Sequence, residues 1–392
     1  MEFRRIPNLP PYAFAAVDAA KWELRRAGAD VIDLGFGNPD LATPPVVVDK
    51  LCEAARNPRN HRYSSSKGIP KLRVAVADLY LRTFGVNLDP ETEIITTIGA
   101  KEGFSHLMWV LVEPGDSALV PSPTYPIHTF GPVFAGARVE SVPLDLDGDF
   151  FGRLTEAYDT VWPRPRVVVT SFPHNPTTAC VEIDFFERLV AFAHERDVIL
   201  VHDFAYADLG FDGYQPPSLR QVPGAKEVGV EIYTLSKSFS MAGWRVGFVV
   251  GNPEIVAALA RLKSYLDYGT FQPIQIASII AMNECPEHPK EVNDTYARRR
   301  DALCEGLQRL GWDVAKPRGT MFVWAAIPES YREMSSLDFA LHCTVDAKVS
   351  VSPGSGFGQG GEGFVRFALV ENEQRIAQAC RQLRRTLTRL PH

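Results

Sequence analysis

The stretch Thr234-Leu235-Ser236-Lys237-Ser238-Phe239-Ser240-Met241-Ala242-Gly243-Trp244-Arg245-Val246-Gly247 sets a lysine among small hydroxyl residues, directly after an apolar run. Lysine is costly to bury unless it is paired or used covalently. A partly desolvated lysine is suited to act as an imine-forming amine, because losing water favours the neutral nucleophile. Arg245 follows across a glycine-containing turn and can bring a fixed positive charge back to the same place. Four more polar clusters also follow apolar runs: Gly99-Ala100-Lys101-Glu102-Gly103, Pro121-Ser122-Pro123-Thr124-Tyr125-Pro126, Pro173-His174-Asn175-Pro176-Thr177 and His202-Asp203-Phe204-Ala205-Tyr206. At the first of these, free N–H groups at a helix start would suit a phosphate; Lys101 either adds charge there or points to solvent. Arg366 lies in the apolar segment Val365-Arg366-Phe367-Ala368, where a charge needs a partner. It is either a two-pronged grip on a carboxylate or half of a structural ion pair.

The elements that must position these residues alternate. Ile94–Ile98, Ala118–Val120, Val167–Thr170, Val198–Val201, Ile232–Leu235 and Val246–Val250 read as strands. Their continuous β-branched character predicts strands buried on both faces. A helix is expected from about Ala100 to Val112, and Ile183, Phe186, Leu189, Val190 and Ala193 follow the spacing of one apolar helix face. This is the pattern of an α/β domain with a mostly parallel sheet. In such a sheet the five polar clusters would share the rim at the strands' carboxyl ends, where ligands bind. Past the two prolines of Glu284–Lys290 come a charged helix around Tyr296, strands near Met321–Ala325 and Lys348–Ser352, and an amphipathic helix from about Glu373, a smaller α+β unit. We expect residues 1–45 to form an arm and part of that unit, with prolines at Pro7, Pro10 and Pro11. Residues 46–284 would be the large domain and 285–392 the remainder of the small one.

Composition narrows the function. The 392 residues include 41 basic and 47 acidic ones, a net charge of −6, which argues against nucleic acid or an acidic membrane as partner. Hydrophobic residues at 45% and charged ones at 22% make an ordered globular chain. No apolar run approaches the ~18–20 residues needed to span a bilayer. Met1-Glu2-Phe3-Arg4-Arg5 lacks a signal-peptide core, so a cytoplasmic protein is expected. The six cysteines are dispersed without a Cys-x-x-Cys pair, and His194-Glu195 lacks the second histidine of a zinc helix, so reduced thiols and no metal are expected.

The lysine stretch resembles the signature of the class I pyridoxal-phosphate aminotransferases, with Thr234 where many members carry serine or glycine. Gly35-Phe36-Gly37-Asn38-Pro39-Asp40 resembles the family's N-terminal glycine loop, and Tyr63 with Gly68, Leu72 and Arg73 its Tyr…Gly…Leu-Arg segment. Asn175-Pro176-Thr177, Asp203-Phe204-Ala205-Tyr206 and Arg366 fall at familiar places. The resemblance implies a fold type I architecture: a large domain on a mostly parallel seven-stranded sheet, and a smaller α+β domain. It implies pyridoxal 5'-phosphate as cofactor, with Lys237 as the catalytic amine. Asp203, which alone would read as a helix N-cap, would keep the cofactor's ring nitrogen protonated. Asn175 and Tyr206 would donate to its phenolic oxygen, and Tyr125 would stack on the ring. Arg245, Thr234, Ser236 and the amides of Ala100 and Lys101 would hold the phosphate. Tyr63 would reach the phosphate in a neighbouring subunit, which implies a homodimer with shared active sites. Arg366 would grip the substrate's α-carboxylate, with Gly37 and Asn175 beside it and Tyr12 closing from the arm.

Tyr12 with its prolines, His202–Asp208, Lys263–Phe271 and Val351-Ser352-Pro353-Gly354 are most similar to the bacterial glutamate–pyruvate (alanine) aminotransferases and their LL-diaminopimelate relatives. That implies ping-pong transfer of an amino group between an amino acid and a 2-oxo acid, with glutamate and pyruvate as the leading pair. Lys263, Lys67 and Tyr12 are candidates for accommodating glutamate. Rival readings are a diaminopimelate or a broad neutral or aromatic amino-acid preference, and a carbon–sulfur β-lyase on the same scaffold. A non-catalytic aminotransferase-like binding domain is a further class, which failure to bind the cofactor would favour.

Overall fold

The computed structural model of the chain describes Leu9, Tyr12 and residues 14–387. The prolines expected in the arm, Pro7, Pro10 and Pro11, lie outside the described residues. In chain order the strands are β1 (Ile32–Asp33), β2 (Ile94–Thr97), β3 (Ser117–Ser122), β4 (Arg138–Pro143), β5 (Val167–Thr170), β6 (Ile199–Asp203), β7 (Gly229–Thr234), β8 (Gly247–Gly251), β9 (Phe322–Ala326), β10 (Val349–Ser350), β11 (Ser352–Pro353) and β12 (Phe364–Ala368). Seven of them form one sheet in the order β2-β8-β7-β6-β5-β3-β4. All seven run parallel except β8, which is antiparallel to both neighbours.

Side chains alternate across a strand, so a strand buried on both faces feeds two cores. Ala118, Val120, Val167, Val169 and Val201 join one apolar cluster with Phe104 and Leu107 of the helix Ala100–Leu111. Leu119, Val168 and Leu200 point the other way, into a cluster with Phe186, Leu189 and Val190 of the helix Ile183–Arg196. Ile183, expected on that helix's apolar face, is 38% exposed because it is the first helical residue and overhangs the packed turns. Leu235 leaves β7 and opens a short helix, Leu235–Ser238, rather than ending the strand. β4 escapes the sequence pattern. As the sheet's edge it buries only Val142, and its polar residues give no apolar run.

A further apolar cluster unites the two ends of the chain. Val17, Ile32 and Leu34 pack with Leu303, Phe339, Val365 and Leu383. Its strands are the antiparallel trio β11-β12-β9 and the parallel pair of β1 with β10. Tyr206 and Leu209, from the segment after β6, belong to this cluster as well. The loops at the large sheet's rim are therefore packed directly against the smaller sheets. Among the described residues, no helix is long and apolar enough to cross a membrane.

Leu200 sits on the sheet's interior strand β6 with none of its surface exposed. Leu200→Ala is expected to lower stability by about 2–5 kcal/mol, from lost burial plus the cavity left behind. The shift in denaturant midpoint measures it.

Candidate active site

The sheet's one reversed strand explains how the site is assembled. β2, β3, β5, β6 and β7 all end at the same rim, and β8 begins there. The chain leaves β7 at Thr234, passes Lys237 and turns back through Arg245 into β8 at Gly247. A cavity of about 370 Å³ opens at that rim, walled on its far side by Phe322, Phe357 and Arg366.

One end of the cavity is built for an anion. The helix Ala100–Leu111 starts there after Gly99, whose φ of +80° suits glycine alone. A Cβ at Gly99 would come 2.3 Å from Arg245 Nη2, so the backbone and the guanidinium are in close contact. The Thr234 and Ser236 hydroxyls lie 2.9 Å apart beside them. Helix amides, two hydroxyls and a guanidinium make a set that suits a phosphate. Lys101 is solvent-exposed, with its ammonium 5.7 Å from the Tyr125 ring centre.

The middle holds the reactive groups. Lys237 Nζ donates to the Gly37 carbonyl at 3.1 Å. Burial first, then the nearby charges of Arg366 and Arg245, lower its amine from 10.5 to about 7. Asp203, at the end of β6, is 6% exposed. Its Oδ2 lies 2.9 Å from His128 Nε2, whose Nδ1 lies 2.9 Å from Thr124 Oγ1. Its Oδ1 is buried with no hydrogen-bond partner. A buried carboxylate oxygen left this way calls for a donor from within the cavity. Asn175 Nδ2 donates to the Tyr206 hydroxyl at 3.3 Å, and burial raises that phenol's pKa well above its ordinary value.

The opposite end suits a carboxylate. Arg366 Nη1 donates to Asn175 Oδ1 at 2.6 Å, and Nη2 to the Gly35 carbonyl at 3.2 Å and Ser352 Oγ at 3.4 Å. Its guanidinium lies 4.0 Å from the ring centre of Phe322 and 4.6 Å from that of Phe357. No carboxylate pairs with it among the described residues, so the structural ion pair weighed from sequence is not formed. Burial lowers its pKa to about 10, still high enough to keep it charged at neutral pH. The Gly37 N–H has no acceptor among the described residues. Tyr12 packs edge-on against Phe14, which packs on Phe357 at the cavity mouth.

Tyr12, Gly37, Ala100, Lys101, Tyr125, Asn175, Asp203, Tyr206, Thr234, Ser236, Lys237, Arg245 and Arg366 thus line one cavity. Tyr63 does not. It is 84% exposed and lies against the Tyr268 ring at 4.4 Å between centres. Two of the residues considered for glutamate lie elsewhere. Lys263 is fully buried between Glu102 at 2.7 Å and Asp267 at 2.9 Å, and Lys67 donates to the Glu91 carbonyl. Sequence reasoning missed His128, which nothing local distinguishes from the other histidines, and the aromatic wall of Phe322 and Phe357.

A family model described as aminotransferase class I and II matches residues 29–383. The glutamate–pyruvate aminotransferase AlaC of Escherichia coli (strain K12) is 52% identical over 382 residues, 97% of this chain and 93% of that protein. An LL-diaminopimelate aminotransferase of Moorella thermoacetica is 43% identical over 386 residues, covering 98% of each. Among solved structures, an aspartate aminotransferase double mutant from Thermus thermophilus superposes with a TM-score of 0.91 at 30% identity, over 98% of this chain and 99% of that one.

Two outcomes follow from the geometry. With its amine near 7, Lys237 is mostly free base from about pH 8 upward and mostly charged below about pH 6. The rate at which the cofactor-free protein captures pyridoxal 5'-phosphate is expected to rise through pH 7 and then level, whereas an ordinary lysine would drive a rise past pH 10. Stopped-flow absorbance reads this. Gly99→Ala forces a Cβ onto the Arg245 guanidinium and should weaken cofactor affinity about tenfold or more, by equilibrium titration.

Proposed function

The chain belongs to the class I and II aminotransferases, and we propose that within this family it exchanges an amino group between glutamate and pyruvate, yielding 2-oxoglutarate and alanine by a ping-pong route. The family depends on pyridoxal 5'-phosphate, and the residues at the rim fit that group: a phosphate-type cup at one end and an unsatisfied buried carboxylate oxygen at Asp203. The observation that carries the substrate reading is the 52% identity, over nearly the whole chain, to a glutamate–pyruvate enzyme.

Pyridoxal 5'-phosphate, when bound, supplies an aldehyde that accepts the amino group and a protonated ring that withdraws electrons from the substrate's Cα. In our reading Thr234, Ser236, Arg245 and the amides of Ala100 and Lys101 hold its phosphate. Asp203 Oδ1 would accept a hydrogen bond from the ring N–H, with His128 fixing the carboxylate from behind. Asn175 and Tyr206 donate to the phenolic oxygen, and Tyr125 covers the ring. Arg366 and the Gly37 N–H grip the α-carboxylate common to both substrates. Lys237 would take the proton from the substrate's Cα and hold it for return, acting as base and then as acid; an amine near neutrality suits both duties. Tyr12 closes the mouth.

We further propose a homodimer. Tyr63, Tyr265, Tyr268 and Phe271 are large exposed side chains on neighbouring segments, and burying them against a second copy would bring Tyr63 to that copy's phosphate. All six cysteines are free thiols, which suits the reducing cytoplasm in which we place the protein.

Lys237→Ala is expected to lose at least about a hundredfold in turnover while still binding the cofactor non-covalently; steady-state rates and the cofactor's absorbance read the two effects. For substrate choice, the loaded enzyme is offered alanine, glutamate, aspartate and diaminopimelate singly. Alanine and glutamate are expected to bleach the cofactor band fastest. Preferential bleaching by diaminopimelate would replace this reading with that of the 43%-identical relative.

A further inference from the structure

The glycine loop, Gly35 to Asp40, serves the substrate end through its backbone. The Gly35 carbonyl accepts from Arg366 at 3.2 Å, and the Gly37 carbonyl accepts from Lys237 at 3.1 Å. The carbonyls of one short loop thus accept from the guanidinium at that end of the cavity and from the amine at its middle. The same loop presents the unpaired Gly37 N–H. Its height is tightly set on one side, since a Cβ at Gly37 would lie 2.6 Å from the Phe322 ring.

Regular structure does not hold this loop. The ladder of β1 with β10 ends at Asp33, with a last backbone bond from Leu34 N to the Ser350 carbonyl at 2.9 Å. On the amino side, Asp33 Oδ1 accepts from the Gly35 and Phe36 amides, and Ser352 Oγ donates to the Gly35 carbonyl at 2.7 Å. On the carboxyl side the hold is Asp40. Both of its oxygens are gripped by Arg299, Nη1 to Oδ1 and Nη2 to Oδ2, each at 2.7 Å. Arg299 projects from the helix His288–Gln308, and its side chain is 6% exposed. Its Nη1 donates in addition to the Leu369 carbonyl at 2.9 Å, just beyond the end of β12. β12 carries Arg366. One planar guanidinium therefore ties the far end of the glycine loop to the strand that holds the carboxylate-binding arginine.

We propose that Arg299 and Asp40 are positioning residues for α-carboxylate recognition. The forked pair fixes the spacing between the Gly37 N–H and the Arg366 guanidinium, the two donors that must meet one carboxylate together. Two parallel hydrogen bonds restrain direction as well as distance, which a single ammonium contact does not. Asp40's side chain is 34% exposed, so water screens part of the pair's attraction. A displacement of the loop by about 1 Å would part the two donors and is costly to binding. The proposal rests on Arg366 as the carboxylate receptor, and not on which amino acid is the donor.

Arg299→Lys and Asp40→Asn keep the packing and break the fork, and Asp40→Glu keeps a two-oxygen acceptor. In the first two, KM is expected to rise about five- to tenfold for the amino acid and the 2-oxo acid alike, with kcat within about twofold of the parent. Asp40→Glu should lie closer to the parent. In the cofactor-free protein, hydrogen exchange of the peptide covering 34–43 should quicken in Arg299→Lys and Asp40→Asn, with the helix His288–Gln308 exchanging as in the parent. Unchanged KM values would overturn the proposal. So would faster exchange throughout that helix with kcat falling alongside a lowered melting temperature, which marks a general brace of the fold. Should the parent itself reject glutamate and pyruvate, that failure belongs to the substrate reading. The exchange comparison, and KM with whichever amino acid bleaches the cofactor, still decide the role of the pair.

Discussion

Two basic side chains, Lys237 and Arg366, line a cavity in which the one buried carboxylate among the described residues is Asp203. The architecture depends on making that imbalance tolerable. Desolvation penalises each positive charge, and each penalises the other. The lysine escapes by giving up its proton near neutrality, which its low pKa reflects. Arg366 cannot do so at neutral pH. It is instead surrounded by neutral oxygen acceptors at Asn175, Gly35 and Ser352 and by two aromatic faces. Those contacts soften the burial without cancelling the charge, so the site keeps its attraction for an incoming carboxylate.

The reversal of β8 is the topological counterpart of this arrangement. In a wholly parallel sheet, a chain leaving β7 at the rim would come back through a crossover starting at the opposite edge. Because β8 is antiparallel, the segment from Lys237 to Arg245 stays at the rim and returns into the sheet within a few residues. The reactive amine and a phosphate-type arginine are thereby fixed by one short connection between two fully buried strands. The opposite wall comes from β12, which belongs to the apolar cluster joining the chain's two ends, and from the glycine loop that follows Leu34 of that cluster. The two walls meet where Lys237 donates to Gly37 and Arg366 to Asn175, so any relative movement changes the space between Arg366 and Lys237.

How far this was legible in the sequence follows from where each residue stands. Lys237, Asp203 and Asn175 sit immediately after β-branched runs, so strand prediction alone carried them to one rim. Arg366 was conspicuous as a charge in an apolar strand, but its lack of an acidic partner is a fact of packing. The same is true in reverse for Lys263, a candidate from sequence for accommodating glutamate, which is consumed by Glu102 and Asp267, residues far from it and near it in the chain. β4 stayed hidden because an edge strand needs few apolar residues. Tyr63 carries no local mark at all. Its 84% exposure takes on a role only in the proposed homodimer.

His128 shows why a site's supporting residues are harder to read than its reactive ones. Two other buried histidines, His174 and His202, are lowered by burial to about 3, so these two are neutral at any ordinary pH. Each spends one ring nitrogen on a threonine hydroxyl, Thr177 and Thr170 respectively. Neither supplies a positive charge to the Asp203 carboxylate. His128 makes a direct hydrogen bond to Oδ2, and Thr124 on its other nitrogen fixes the ring's orientation. The other carboxylate oxygen is left facing the cavity without a donor. A buried carboxylate oxygen without a donor favours a hydrogen-bond donor, best a positively charged one, in front of it. In the function proposed above, that preference would be met by the protonated ring nitrogen of pyridoxal 5'-phosphate.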